Sequence, residues 1–375
     1  MKIKTFAYIC LEVIIGLIFI NCFDPEEIKY ILDQFMMNEP EITEQEYYTE
    51  FDYFAAKYRK SYAENSEYQK RFMIFKRNYK FIKTHNFNAK IHGYKLGVNK
   101  FADLTNDEYR KTYLETFKLN SNISKVSEPD GKFKNRMKSA QAKNDFYDLG
   151  NPSSVDWRNT GAVMPVKDQG ECISGYAFSA IAAIEGVYAI QKKRYKKLSE
   201  QQVIDCSDSD TYGNKGCEGG NTTAVFKYAH DNDLCIEEDY EYTGTHDSCQ
   251  AFYKWVTDNY VANHVIIEPY SLFRLKTAIA TQPVSVKVDA GSDAFRFYKS
   301  GIMGSGCEEN INHSVAAVGY GSRWWVWYYN NEYVLIKNSW GTDWGENGYM
   351  LLSANQEDGS GTCGLYKEIS YPVVV

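Results

Sequence analysis

The sequence predicts an α+β protein. A helical first part leads to a long central helix, and a strand-rich second half follows. Three observations predict this. Residues 50–86 carry helical periodicity, with Phe51, Phe54 and Tyr58 in one apolar stripe and Phe75, Asn78 and Ile82 along one side of a second run. A loop containing Gly170 and Cys172 gives way near Ser174 to a run in which Phe178, Ile181, Ala182, Val187 and Ile190 recur at roughly helical spacing, which predicts a helix with one buried face. Later, PVSVKVDA (283–290) alternates, and SVAAVGYG (314–321) and EYVLIKNSW (332–340) read as strands with aromatic ends.

Length and composition bound the function. A chain of 375 residues is long enough for two or three packed units. A net charge of −7 argues against a nucleic-acid binder and suits an acidic or extracellular compartment. Residues 1–22 read as a secretory signal: Lys2 and Lys4 precede an apolar run from Phe6 to Ile20, interrupted by Glu12. Asn21-Cys22 is a poor cleavage site, so a membrane anchor is the alternative for this run. No later apolar stretch reaches the ~20 residues needed to span a bilayer. Of nine cysteines, Cys10 and Cys22 lie in the leader and seven follow residue 170. They form no C-x-x-C and have no histidines at zinc spacing, so disulfides are expected rather than a metal or other cofactor. Seven is odd, so at least one stays outside the set. Secretion fits this usage, with the lysosome or vacuole or the extracellular space as destination.

Residues 23–50 are acidic, with Glu26, Glu27, Glu39, Glu41, Glu44 and Glu46 against Lys29. They read as a solvated leader or frayed helix, with the leader proper ending at 45. The next run sets Glu67, Arg71, Ile74, Phe75, Asn78, Ile82 and Asn86 at fixed spacing. Directly after the helix, GVNKFAD (97–103) carries Gly97, Asn99, Phe101 and Asp103. The two patterns together resemble the inhibitory prodomain of cathepsin L-like zymogens, which places such a domain at 46–118. Residues 119–150 are polar and basic, as a linker with a processing site would be. Asn122-Ile-Ser124 is a candidate glycan acceptor within it.

From 151 to the end the chain resembles the papain-like cysteine peptidases. The motifs are DWRNTGAVMPVKDQG (156–170), QGECISGYAFS (169–179), LSEQQVIDC (198–206), GCEGG (216–220), INHSVAAVGYG (311–321) and NSWGTDWGENGYM (338–350). The resemblance implies a helical domain and a β-barrel-like domain with a cleft between them. It makes His313 the acid/base, Asn338 its orienter, Gln169 the oxyanion amide and Trp340 the shield of the His–Asn pair. Gly219 and Gly220 belong to a strip whose backbone pairs with an extended peptide. Lys287 falls near the pocket that reads the side chain two residues before the cut. An apolar residue is usual there, so Lys287 either favours acidic ligands or plugs the pocket. The implied disulfides are Cys172–Cys217, Cys206–Cys249 and Cys307–Cys363. Cys235 is left as a buried thiol or an intermolecular bridge.

One departure dominates. The family's nucleophilic cysteine is replaced by Gly175, and its neighbours Ile173 and Tyr176 differ as well. A thiolate, a histidine and an orienting group form the reacting unit, and glycine offers no atom to acylate. Ser174 is adjacent but points about 100° away on a helix. Asn312-His313-Ser314 fits a glycan sequon, but the cleft should be closed to modification. The expectation is a pseudopeptidase that binds a peptide or protein in its cleft and its own prodomain in cis. Two rivals are an active endopeptidase, if Gly175 is an error of sequencing or gene model, and a recognition protein working through the aromatic hairpin 324–329, with Trp324, Trp325, Trp327, Tyr328 and Tyr329 crowded together.

Overall fold

Two helices open the fold in the computed structural model, which describes residues 41–115, 151–251, 261–325 and 329–374. Residues 44–375 form one unit, described here. Helix α1 (Glu44–Lys57) packs antiparallel-fashion along α2 (Asn65–Phe87) through rings. Phe51 and Phe54 are fully buried, with Phe75 5.2 Å from each. Each such side chain contributes roughly 1.5–3 kcal/mol by leaving water. Residues Glu44 and Glu46 of the acidic stretch, read as solvated leader or frayed helix, belong to a formed helix. They sit in the first turn of α1, where Glu44 meets Lys76 and Glu46 meets Lys83 at 3.1 Å and the Tyr79 hydroxyl at 2.8 Å.

Three polar members of the α2 pattern, Arg71, Asn78 and Asn86, reach the segment that follows. Asn78 Nδ2 donates to the carbonyls of Ala102 (2.8 Å) and Leu104 (2.9 Å). Arg71 bonds Glu67, Glu108 and the Asp103 carbonyl. Asn86 exchanges two bonds with Leu96, in strand β1 (Tyr94–Leu96). Helix α3 (Asn106–Tyr113) starts on a capping box formed by Thr105 and Glu108.

After β2 (Val155–Asp156) comes α4 (Gly175–Lys192), then α5 (Glu200–Cys206) and α6 (Thr222–Asp231). Helix α4 is buried on every side from Gly175 to Ala189, not on one face, while Ile190 is only partly covered. The reason is position: α6 lies on one flank and the sheet on the other. The sheet comprises β3 (Val261–Ile267), β4 (Val284–Val288), β5 (Tyr298–Met303), β6 (His313–Trp325), β7 (Tyr329–Lys337), β8 (Tyr349–Ser353) and β9 (Ile369–Val374), with helix α7 (Leu272–Thr281) preceding β4. Its order is β1-β5-β8-β7-β6-β4-β9-β3, with β2 on β6. Strand β1 of the N-terminal segment therefore extends the sheet through β5. All five β4 residues are buried, against the alternation read from the sequence, because both faces of that strand are covered.

Register sets the site. His313 opens β6 opposite Val288, and Ser314 lies opposite Lys287. Ala316 faces Lys337, so Asn338, directly after β7, arrives beside His313. Disulfides join Cys172–Cys217, Cys206–Cys249 and Cys307–Cys363. Cys235 is buried and outside any disulfide, so an intermolecular bridge there would require the domain to open. Among the described residues no helix is long and apolar enough to cross a membrane. The leader 1–22, most of the acidic stretch, the linker with Asn122, and the side chains of the aromatic hairpin lie outside the described residues.

Candidate active site

His313 and Asn338 form the centre. The imidazole Nε2 is 2.8 Å from Asn338 Oδ1, which also accepts the Ser339 N–H at 2.8 Å. The ring stacks on Trp340 with centroids 4.8 Å apart and planes 20° from parallel. His313 is 2% exposed, and burial pushes its pKa down to about 4, with the Asn338 bond opposing. The ring is therefore neutral at physiological pH. An amide oxygen can only accept, so Nε2 carries the proton and the Nδ1 lone pair is left over.

That lone pair faces Gly175. A Cβ placed on Gly175 would lie 2.8 Å from both Nδ1 and Cε1 of His313 and 3.0 Å from the Ser314 carbonyl. The imidazole thus crowds the place that the first atom of a nucleophile side chain would take. Ser174 does not stand in. Its Oγ bonds the Cys172 carbonyl (3.3 Å) and the Tyr242 hydroxyl (3.1 Å), away from the histidine.

Gln169 is wholly buried in the loop before α4. Its backbone N–H donates to the Ser339 carbonyl at 2.8 Å, and its Oε1 accepts the Ser339 hydroxyl at 2.6 Å. Its Nε2 donates to the Cys172 carbonyl at 2.8 Å. One amide hydrogen is thus turned inward, which the motif alone does not reveal. The Cys172–Cys217 bridge and the Ile173 N–H to Cys217 carbonyl bond (3.0 Å) tie this loop to the glycine strip. Gly219 has φ +112°, a value that favours glycine. A Cβ on Gly220 would lie 2.5 Å from Asn214 Oδ1 and 2.8 Å from the Tyr176 ring. Tyr176 is fully buried and anchors its hydroxyl on the Gly216 carbonyl at 3.0 Å. The departure at 176 therefore braces the strip from beneath.

The N-terminal segment covers this centre. Phe101 and Tyr109 meet Trp340 edge-on at 5.3 and 5.9 Å. The Tyr109 hydroxyl donates to the Ala290 carbonyl at 2.8 Å, Asn99 Nδ2 to the Arg296 carbonyl at 2.8 Å, and the Glu115 N–H to the Asn312 carbonyl at 3.0 Å. The Asn312 side-chain amide is buried and bonded to Asp289 and Asn310, which closes that sequon in the folded chain. Lys287 is buried on β4 between Glu368 at 3.2 Å and Glu115 at 3.8 Å. Neither glutamate is legible from the sequence as a partner, because both come from remote segments; the only pointer is the unusual lysine itself.

A His–Asn pair under an indole, a buried glutamine beside the mouth of a helix, and a helical segment laid across the cleft define a peptidase scaffold in zymogen form. Similarity to known proteins agrees. Residues 151–373 match the family described as papain family cysteine protease, and residues 51–109 match the cathepsin propeptide inhibitor domain (I29). The chain belongs to the papain family of cysteine proteases and carries its propeptide in cis. It is 39% identical over 321 residues to the senescence-specific cysteine protease SAG39 of Oryza sativa subsp. indica, covering 84% of this chain and 87% of that one. It is 41% identical over 309 residues to cysteine proteinase COT44 of Brassica napus, covering 82% and 89%. A recombinant stem bromelain precursor superposes with TM-score 0.73 at 32% identity, covering 88% of this chain and 99% of that one. Digestive procathepsin L 3 of Tenebrio molitor gives 0.70 at 31%, with the same coverages.

Proposed function

We propose that this protein is a papain-fold pseudopeptidase. It is made as a secretory-pathway zymogen, and it binds an extended peptide or protein segment in its cleft without cutting it. One observation carries the reading: the Nδ1 lone pair of His313 meets Gly175, so the base has no thiol or hydroxyl to activate. Removing the nucleophile from a comparable triad costs about 10⁶ in turnover, ~8 kcal/mol of barrier.

What remains suits binding. The Ser174 side chain does not cap α4, so the first N–H groups of the helix, with the second hydrogen of Gln169 Nε2, offer donors to a carbonyl or carboxylate oxygen. The Gly219–Gly220 backbone offers a strand edge. The three disulfides and the leader 1–22 support passage through the secretory pathway, to the lysosome or vacuole or outside the cell. The prodomain spans 46–118 and the linker 119–150. Release requires a foreign protease, because the site lacks the nucleophile for self-cleavage.

The second reading, an active endopeptidase with cysteine at 175, is favoured by the intact Gln169, His313 and Asn338 and by the names of the relatives. The test is a pair of proteins, one unaltered and one with Gly175→Cys, each freed of prodomain and offered fluorogenic peptides and a thiol-directed epoxide. The unaltered protein should show neither hydrolysis nor labelling. The variant should gain both. Restoring the nucleophile is worth up to ~10⁶, and a ring displaced by about 1 Å forfeits ~10² of it, which leaves roughly 10⁴-fold. Epoxide adducts at the site of the unaltered protein would overturn the reading.

A further inference from the structure

Lys287 and Glu115 meet at a spot in the cleft that the missing nucleophile does not explain. The Lys287 side chain is 3% exposed. Burying an ammonium costs several kcal/mol unless acidic groups face it. Two carboxyl groups do. Glu368, just before β9, brings Oε1 within 3.2 Å of Nζ and stays partly exposed at 35%. Glu115, the last described residue of the prodomain, brings Oε2 within 3.8 Å and is 6% exposed.

Glu115 enters like a ligand side chain. Its backbone N–H is held by the Asn312 carbonyl, next to His313. Its side chain crosses the glycine strip, where a Cβ on Gly219 would lie 3.2 Å from Glu115 Cγ. Its carboxylate oxygens make no hydrogen bond of good geometry among the described residues, so Lys287 is the charge it is aimed at. An apolar side chain in the same place would remove one of the two carboxyl groups that face the buried ammonium.

We propose that the Lys287 pocket is a carboxyl-reading subsite: the cleft takes peptides that set a glutamate side chain against Lys287, and Glu115 is the cis occupant that such a peptide displaces. This rests on the peptide-binding reading above and names its ligand class.

The full chain, with a site-specific protease sequence placed within 119–150, is cut and kept as the two-part complex. Blocked tripeptides with Glu, Gln or Leu at the position that docks beside Lys287 then compete with the cut prodomain at pH 7, and prodomain release is read. The glutamyl peptide should act at a concentration at least ten-fold below the leucyl one, and Lys287→Leu should reverse that order. Glu115→Leu should speed prodomain release at least ten-fold in the parent and much less in the Lys287→Leu background. The peptide series on the unmodified protein and the Glu115→Leu arm stand even if Lys287→Leu fails to fold. Release by the leucyl peptide at equal or lower concentration overturns the carboxyl assignment and leaves peptide binding intact. Release by none of the peptides, while free prodomain still exchanges, overturns peptide binding and this inference with it.

Discussion

Raising the pH from 6.5 to 8.5 should loosen the prodomain's hold on the cleft through one residue. Burial pushes the Glu115 carboxyl from its ordinary value of 4.5 up to about 7; Lys287 opposes this, Glu368 adds to it, and the Gly220 N–H opposes it. A value raised in the docked state means that docking is strongest with the proton on. The contribution is fully present below about 4.5 and is lost as pH climbs through about 7. The whole span amounts to ~3 kcal/mol, of which ~0.8 kcal/mol falls between pH 6.5 and 8.5, about four-fold in the dissociation constant. The window is centred on Glu115; Lys100, 2.6 Å from Asp168 of the peptidase domain, is held below its ordinary value by burial, with Asp168 opposing, and the Glu115→Gln variant separates it. His85, packed within the prodomain on His92 and Tyr94, is pushed down to about 4 by burial, so it costs stability only as pH falls below its ordinary 6.5. Glu185 is also pushed up to about 7, but it is buried in the peptidase domain and is present in docked and undocked states alike. The assay is the affinity of cut, fluorescently labelled prodomain for the peptidase domain across that window. Glu115→Gln should flatten the profile. A parent profile that is flat or tightens with rising pH, or a Gln variant with an unchanged slope, refutes the reasoning.

Three further outcomes follow from the packing. Phe101→Ala removes a fully buried ring that touches Tyr109, Tyr113 and Trp340, and should weaken docking by ~3–5 kcal/mol; a loss under ~1 kcal/mol in the same binding assay counts against the packing described. The His313 imidazole should stay neutral down to about pH 4, read from its ring resonances by NMR, and a midpoint above 6 contradicts its burial. Gly220→Ala forces a methyl onto Asn214 and Tyr176 and should cost ~1–3 kcal/mol, lowering Tm by several degrees; an unchanged Tm shows that Tyr176 does not brace the strip.

Local spacing carried much of this architecture. The positions of Arg71, Asn78 and Asn86 mark a helix face, and the structure adds the reason for their polarity: each holds the backbone of the segment after the helix. Periodicity failed where elements are covered on both sides. Helix α4 and strand β4 each show one face in sequence, yet α4 is buried all round from Gly175 to Ala189 and β4 along its whole length, because covering by a second layer leaves no local signature. The disulfide pairs came from resemblance, since spacing among seven cysteines leaves many pairings open. Glu115 and Glu368 were illegible for the same reason as every docking contact: their meaning depends on a residue more than eighty or 170 positions away, at about that order of separation, and on burial that only the assembled chain creates. The inward turn of the Gln169 amide onto Cys172 likewise depends on the loop geometry that the bridge to Cys217 imposes.

The most direct measurement is peptide hydrolysis by the purified chain, freed of prodomain and shown by intact mass to carry glycine at 175, beside a His313→Ala control. The account predicts that the two are indistinguishable and no faster than buffer. Turnover by the unaltered chain that disappears with the imidazole would contradict it.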